Sequence, residues 1–113
     1  MATYVMLAHF TERGITNIKN TAKRAEDFKL LASAHGVTVK EIFWTLGQYD
    51  VVVIVEARDE IAMAALSMSA GALGNARTQT LRAFSETEIK TILDRMNHTR
   101  GQSAEFSGEG AEI

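Results

Sequence analysis

The sequence predicts an α+β protein of ferredoxin-like topology, with a four-stranded antiparallel sheet and helices on one face of it. Two observations favour this class. Strand-like and helix-like segments follow one another in the order βαββαβ, with a further helix after the last strand. Two of the strands, residues 3–10 and 51–57, are apolar on both faces and therefore need two covers. Since a chain of 113 residues has helices enough for one face, we expect a second copy to cover the other, as in a dimeric α+β barrel.

Strand and helix patterns alternate through the first half of the chain. Residues 3–10 predict a strand whose even and odd positions are both largely apolar. Apolar side chains recur at helical spacing over about residues 16–34, and Gly36 supplies the stop. A second strand over residues 37–46 changes the parity of its apolar positions midway, so we expect a bulge near residues 40–41.

A hairpin and a second helix follow. Residues 47–50, Gly-Gln-Tyr-Asp, turn the chain into the valine-rich third strand, residues 51–57. Asp59 is the expected N-cap of the next helix, which runs to about Ala72. Glycine and asparagine then break the chain before a fourth strand over about residues 77–84.

The last predicted helix opens with a capping box. Ser85 and Glu88 have the spacing of that motif, and an apolar stripe at helical spacing follows. From Thr99 onward the composition falls to glycine, serine and glutamate. We therefore expect one domain over residues 1–98 and a disordered tail over residues 99–113.

Composition and charge exclude several classes of partner. The net charge is −2, and one arginine and three glutamates after residue 98 account for it, so the body of the chain is neutral. A neutral body argues against nucleic acid as a partner, because phosphate binding needs a clustered positive surface. Lys19, Lys23 and Arg24 come nearest to such a patch, but two acidic residues interrupt it, and we expect a solvated helix face. No window approaches the apolar length of a membrane span, so we expect no membrane partner and a cytoplasmic location.

Two segments carry a resemblance to a known family. Residues 45–57, TLGQYDVVVIVEA, and residues 73–84, LGNARTQTLRAF, together resemble the GYD domain family of small bacterial and archaeal proteins. The likeness covers about residues 3–95. It implies a dimeric α+β barrel, and it implies no established reaction, so the chemistry stays open.

Six side chains are the candidates for a small-molecule site: His9, Trp44, Tyr49, Asp50, Arg77 and Arg82. They are polar or aromatic groups on otherwise apolar strands, the usual composition of a pocket. The phenol and carboxylate at the hairpin can bind a polar ligand or transfer a proton. A purely structural alternative holds for the same pair: the aspartate accepts backbone N–H bonds in the turn, and the tyrosine ring packs over a strand.

The other four candidates also have structural alternatives. His9 is either a cavity residue or a hydrogen-bonded core histidine. Trp44 either stacks on a planar ligand or packs in the core or an interface. Arg77 and Arg82 differ in parity, so they lie on opposite sides of the sheet, where one of them either holds an anion or pairs with Asp50 or Glu56.

These observations favour a homo-oligomeric protein that binds a small molecule in an accessory or regulatory role. One alternative is a cofactor-independent monooxygenase or isomerase acting on an aromatic or polyketide-like substrate, with His9 or Asp50 inside an enclosed cavity. Another is a structural protein that assembles dimers into larger rings. The three histidines lack zinc-motif spacing and the chain has no cysteine, so the sequence identifies no metal site and leaves any cofactor unknown.

Overall fold

The computed structural model describes residues 1–103, which divide into a unit formed by Met1–Ala83 and a second unit that begins at Phe84. The four strands are β1 (Ala2–Phe10), β2 (Val37–Trp44), β3 (Val51–Ala57) and β4 (Ala76–Ala83). The helices are α1 (Glu12–Thr16), α2 (Thr21–Ala34), α3 (Glu60–Ala72) and α4 (Glu86–Ser103), with a 3-10 turn at Ile18–Asn20. The predicted α+β class is confirmed.

The sheet is antiparallel throughout, with the strand order β2-β3-β1-β4 that is typical of ferredoxin-like domains. In the two central strands Met6 lies opposite Val53. On β2 the register shifts between Val39 and Glu41, so the predicted bulge is confirmed. The bulge returns Ile42 to the same face as Val53, although the two halves of β2 differ in parity.

Helices α2 and α3 pack on one face of the sheet and form the core with it. Even positions of β1 and odd positions of β3 meet buried residues of the two helices, namely Ala32, Met63 and Leu66. The largest fully buried side chains are Met6, Val55 and Leu66. Each contributes about 1.5–3 kcal/mol through the apolar surface that it removes from water.

The opposite face of the sheet carries no helix from the unit Met1–Ala83. We call this surface of the sheet the open face. Alternation along the strands gives it six apolar side chains: Val5, Leu7, Phe43, Val52, Ile54 and Leu81. Phe43 is 52% exposed and Leu81 is 41% exposed. Within this unit, the strands that are apolar on both sides are therefore covered by helices on one side alone.

The predicted helix over residues 16–34 is wrong in its first part, because the chain forms α1, a 3-10 turn and then α2. Thr11 caps α1, accepting a hydrogen bond from the Gly14 backbone N–H at 3.2 Å. Gly14 is buried against the loop before β4, where an added Cβ would lie 2.0 Å from the Asn75 carbonyl oxygen. Tertiary contact with this loop therefore positions a helix of five residues that has little apolar periodicity of its own.

The predicted caps of the later helices are confirmed. The Asp59 side chain accepts a hydrogen bond from the Ala62 backbone N–H at 2.8 Å. At α4 the Ser85 and Glu88 side chains each accept a hydrogen bond from the other residue's backbone N–H, at 3.1 and 3.0 Å.

The ends of β2 and α4 differ from the sequence-based expectation. Strand β2 ends at Trp44 rather than at residue 46, because Thr45 already donates its backbone N–H to the Asp50 carbonyl of the hairpin. Helix α4 continues to Ser103, so the first five residues of the predicted tail are helical. Residues 104–113 lie outside the described part of the chain. No helix among residues 1–103 combines the length and the apolar character needed to cross a membrane.

Candidate functional site

A cavity of about 340 Å³ lies between the sheet and the helices of the unit Met1–Ala83. Its walls are largely apolar and come from β1, β2, β3 and α2, with Met6, Phe28, Leu31, Ile42 and Val53 among them. Alanines line it from four separate elements, at Ala8, Ala25, Ala70 and Ala76. Side chains this short leave space between the helices and the sheet. The volume falls at the lower end of the range of small-molecule sites, roughly 300–1,000 Å³.

Two arginines lie at this cavity, Arg13 from α1 and Arg24 from α2. The Arg24 guanidinium donates to the carbonyls of Asn17 at 2.6 Å and Gly14 at 3.1 Å. It also lies 5.5 Å from the centroid of the Phe10 ring, within the range of a cation–π contact. The first turn of α2 is thus tied to α1 and to the end of β1.

Trp44 is the one residue of the six sequence candidates that lines the cavity. It is on the face of the sheet that carries the helices, at the end of β2. Its indole N–H donates to the Thr21 hydroxyl at 2.9 Å, and the side chain remains half exposed. The indole is therefore held by α2 at the edge of the cavity.

The open face has a polar end. His9, Tyr49 and Arg77 lie together there. The His9 and Tyr49 ring centroids are 6.3 Å apart, and Arg77 is the cross-strand partner of His9. The Tyr49 hydroxyl donates to the Gln79 side-chain carbonyl at 2.8 Å. Sequence reasoning missed Gln79, although it has the same parity as Arg77 on β4 and therefore shares its face.

Asp50 connects the hairpin to β1. Its carboxylate accepts a hydrogen bond from the Phe10 backbone N–H at 2.8 Å, and its own N–H donates to the Ala8 carbonyl at 2.8 Å. The side chain thus accepts a backbone N–H, as in the structural alternative, but the donor belongs to a strand 40 residues earlier and not to the turn itself. Asp50 therefore has a structural use that involves no ligand.

Arg82 lies on the face of the sheet that carries the helices. Its guanidinium is 5.8 Å from the centroid of the Tyr4 ring and donates to the carbonyls of Ala83 and Thr3. The carboxylates considered as partners for an arginine have other contacts, since Glu56 lies 3.5 Å from Lys40 and Asp50 accepts from Phe10.

The six candidates therefore do not line one common pocket. Side chains of successive strand residues point to opposite faces, and the parity of each strand assigns Trp44 and Arg82 to one face and His9 and Arg77 to the other. Reasoning from the sequence also missed the two arginines at the cavity, because Arg24 was expected on a solvated helix face. The sequence contains a signal that Arg24 lies near the cavity. Arg24 directly precedes Ala25 and is four residues before Phe28, and both of these residues are on the apolar side of α2.

The two residues that the enzyme alternative names, His9 and Asp50, do not line this cavity. The ionisable residues in its lining are Arg13, Arg24 and Asp27. Asp27 is already paired with Lys23 at 2.7 Å. Within the part of the chain that the structure describes, no three His, Cys, Asp or Glu side chains are grouped in a way that would hold a metal ion.

Comparisons with solved structures place two proteins near this fold. A protein of Thermus thermophilus superposes with a TM-score of 0.49 at 22% identity, over 75% of this chain and 95% of its own. A homoserine dehydrogenase from Thiobacillus denitrificans gives a TM-score of 0.49 at 14% identity, over 72% of this chain and 17% of its own.

Comparisons of sequence are more specific. A family model described as the GYD domain matches residues 4–93. A relative from Thermus thermophilus, named glutamine synthetase and cystathionine beta-lyase binding protein, is 31% identical over 90 residues, which cover 79% of this chain and 95% of the relative. The resemblance of the Gly-Gln-Tyr-Asp hairpin and of the segment over β4 is thereby confirmed, and the chain belongs to the GYD domain family.

Proposed function

We propose that this protein is a homo-oligomeric accessory protein that binds a small molecule in the cavity between α2 and the sheet. The observation that carries the proposal is the cavity itself, about 340 Å³ in volume, with apolar walls and a few polar groups around it. Pockets of this composition bind small molecules through apolar contact and orient them through a small number of polar groups.

The accessory role rests on the relative. The Thermus thermophilus protein is named for binding glutamine synthetase and cystathionine beta-lyase, and it matches this chain over 90 residues. We propose that this protein also acts beside a metabolic enzyme rather than through a reaction of its own. The cavity supports this role, because neither His9 nor Asp50 is available there as an acid or a base.

Self-association rests on the open face. Val5, Leu7, Val52 and Ile54 form its centre, and nothing from the unit Met1–Ala83 covers them. We propose that two copies pair through this face, as in a dimeric α+β barrel. His9, Tyr49 and Arg77 then lie at the rim of the interface, where polar residues are usual.

Ligand binding is tested with a variant that fills the cavity. Ala70 on α3 lines the cavity, whereas Ala64 on the same helix is exposed and lies outside it. We expect a thermal-shift screen of metabolites to find compounds that stabilise the wild type and Ala64→Phe but not Ala70→Phe, since the phenyl ring occupies the site. The proposal fails if no compound stabilises the wild type, or if Ala70→Phe responds as Ala64→Phe does.

A further inference from the structure

We propose that the ligand of this cavity is a small organic anion, with an apolar body that fills the cavity and a carboxylate, sulfonate or phosphate group held by Arg13 and Arg24. This inference rests on the proposed function, because it names the class of ligand that the same cavity binds. Both arginines belong to the lining of the cavity, Arg13 on α1 and Arg24 in the first turn of α2.

The ionisable residues that line the cavity are mostly basic. Arg13 and Arg24 bring two positive charges to the cavity, and the remaining ionisable residue there, Asp27, forms an ion pair with Lys23 at 2.7 Å. Among the residues that the structure describes, no carboxylate forms an ion pair with either arginine. The lining therefore holds two arginines and one carboxylate that is already paired, and this excess of positive charge attracts an anion.

The two guanidinium groups differ in how they are held. Arg24 donates to the Gly14 and Asn17 carbonyls and lies over the Phe10 ring, so its position is fixed before any ligand arrives. A guanidinium has five N–H donors, and these two contacts leave others for an anion. Such preorganisation lowers the entropic cost of binding.

Arg13 is the more available group. It is exposed and lies beside Gly74, where an added Cβ would be 3.4 Å from its Nη1 atom. Within residues 1–103 its side chain takes part in no hydrogen bond or ion pair. Because Arg13 lines the same cavity as the fixed Arg24, its free guanidinium can close on an anionic group with charge-assisted hydrogen bonds.

The rest of the cavity determines the body of the ligand. Phe28, Leu31, Ile42 and Val53 offer apolar contact, and the Trp44 indole also lines the cavity. A ligand without apolar atoms would not remove these apolar walls from water. A neutral apolar ligand would leave the two arginine charges without a counterion. An amphiphilic anion satisfies both parts.

Two fluorescent probes with the same skeleton test the proposal. 8-Anilinonaphthalene-1-sulfonate carries a sulfonate, and N-phenyl-1-naphthylamine lacks it. Comparison of Ala70→Phe with Ala64→Phe first identifies the fluorescence that comes from the cavity. For that signal, we expect Arg13→Gln to weaken binding of the sulfonate probe by about tenfold or more and to leave the neutral probe unchanged.

Matched variants separate charge from folding. We expect Arg13→Lys to retain most of the affinity for the sulfonate, and Arg58→Gln, which removes an exposed charge away from the cavity, to have no effect. Equal affinity of wild type and Arg13→Gln for the sulfonate overturns the anion proposal, while the proposed function survives through the neutral probe. If neither probe gives a signal that Ala70→Phe abolishes, the cavity binds no ligand of this kind and both proposals fail.

Discussion

Asp50, the last residue of the Gly-Gln-Tyr-Asp turn, stabilises the fold through a hydrogen bond to β1. Its carboxylate accepts the Phe10 backbone N–H at 2.8 Å, at the point where β1 ends and the chain enters α1. Phe10 in turn lies under the Arg24 guanidinium. One side chain in the hairpin thereby supports the segment that carries both arginines of the cavity.

We expect Asp50→Ala to lower the free energy of unfolding by about 1–3 kcal/mol, because a partly buried N–H loses its acceptor. Asp50→Asn keeps an oxygen acceptor of the same shape and is expected to retain much of the stability. Urea denaturation of the three proteins measures the difference. Wild-type stability in Asp50→Ala would show that the contact contributes nothing to the fold.

Among the glycines that the structure describes, Gly14 has the least room for a side chain. We expect Gly14→Ala to destabilise the protein by about 1–3 kcal/mol, because the added methyl would lie 2.0 Å from a backbone oxygen and must displace α1 or the loop at Asn75. Thermal unfolding of Gly14→Ala and Gly71→Ala checks this. The second glycine is helical with open space around it, so its substitution should leave stability unchanged or raise it by up to about 1 kcal/mol. A Gly14→Ala protein as stable as the wild type would contradict the close packing.

At the scale of elements, two short features determine the shape of the cavity. The five-residue α1 is held against the loop before β4, where Thr11 donates its N–H to the Asn75 carbonyl at 3.1 Å and its hydroxyl to the Gly74 carbonyl at 2.6 Å. The bulge on β2 turns Ile42 and Trp44 toward α2. Without that extra residue, these two side chains would point to the open face and the cavity would lose one wall.

Helix α3 depends on its N-cap. We expect Asp59→Ala to lower the free energy of unfolding by about 0.5–2 kcal/mol, because the Ala62 N–H loses the carboxylate that accepts it at 2.8 Å. The loss affects the whole unit, since α3 contributes Met63 and Leu66 to the core. Asp59→Asn retains an equally good cap and should remain within a few tenths of a kcal/mol of the wild type in the same urea titration. Equal losses in both variants would assign the effect to charge rather than to capping.

For the molecule as a whole, the open face is the feature that most needs a partner. We expect sedimentation velocity of the wild type to give twice the mass of the chain, because a contiguous apolar surface of this kind is stabilised by association. Leu81→Lys, which adds a charge to the open face, should weaken the dimer by about tenfold or more.

A charge on the other side provides the control. Leu30 lies on α2 and is 72% exposed, so Leu30→Lys should leave the dimer intact. A wild type that is monomeric in dilute solution would contradict pairing through this face. So would equal association of the Leu81→Lys and Leu30→Lys proteins.

Much of the fold could be predicted because its signals are local. Alternation identified the strands, the change of parity identified the bulge on β2, and side-chain spacing identified the caps at Asp59 and Ser85. The break between α1 and α2 could not be predicted in this way. It depends on the contact between Gly14 and the Asn75 carbonyl, which are 61 positions apart in the chain.

The sequence by itself determined the class of fold, the order of the strands and longer helices, and the family, because these depend on periodicity and on contiguous motifs. Only the tertiary structure decided which polar groups share a site. Strand register directs Trp44 toward the helices and His9 toward the open face, and the packing of α1 brings Arg13 and Arg24 to one cavity. The physical reason is that a binding site depends on distances between elements remote in sequence, and these distances are set by pairing and packing rather than by any local pattern.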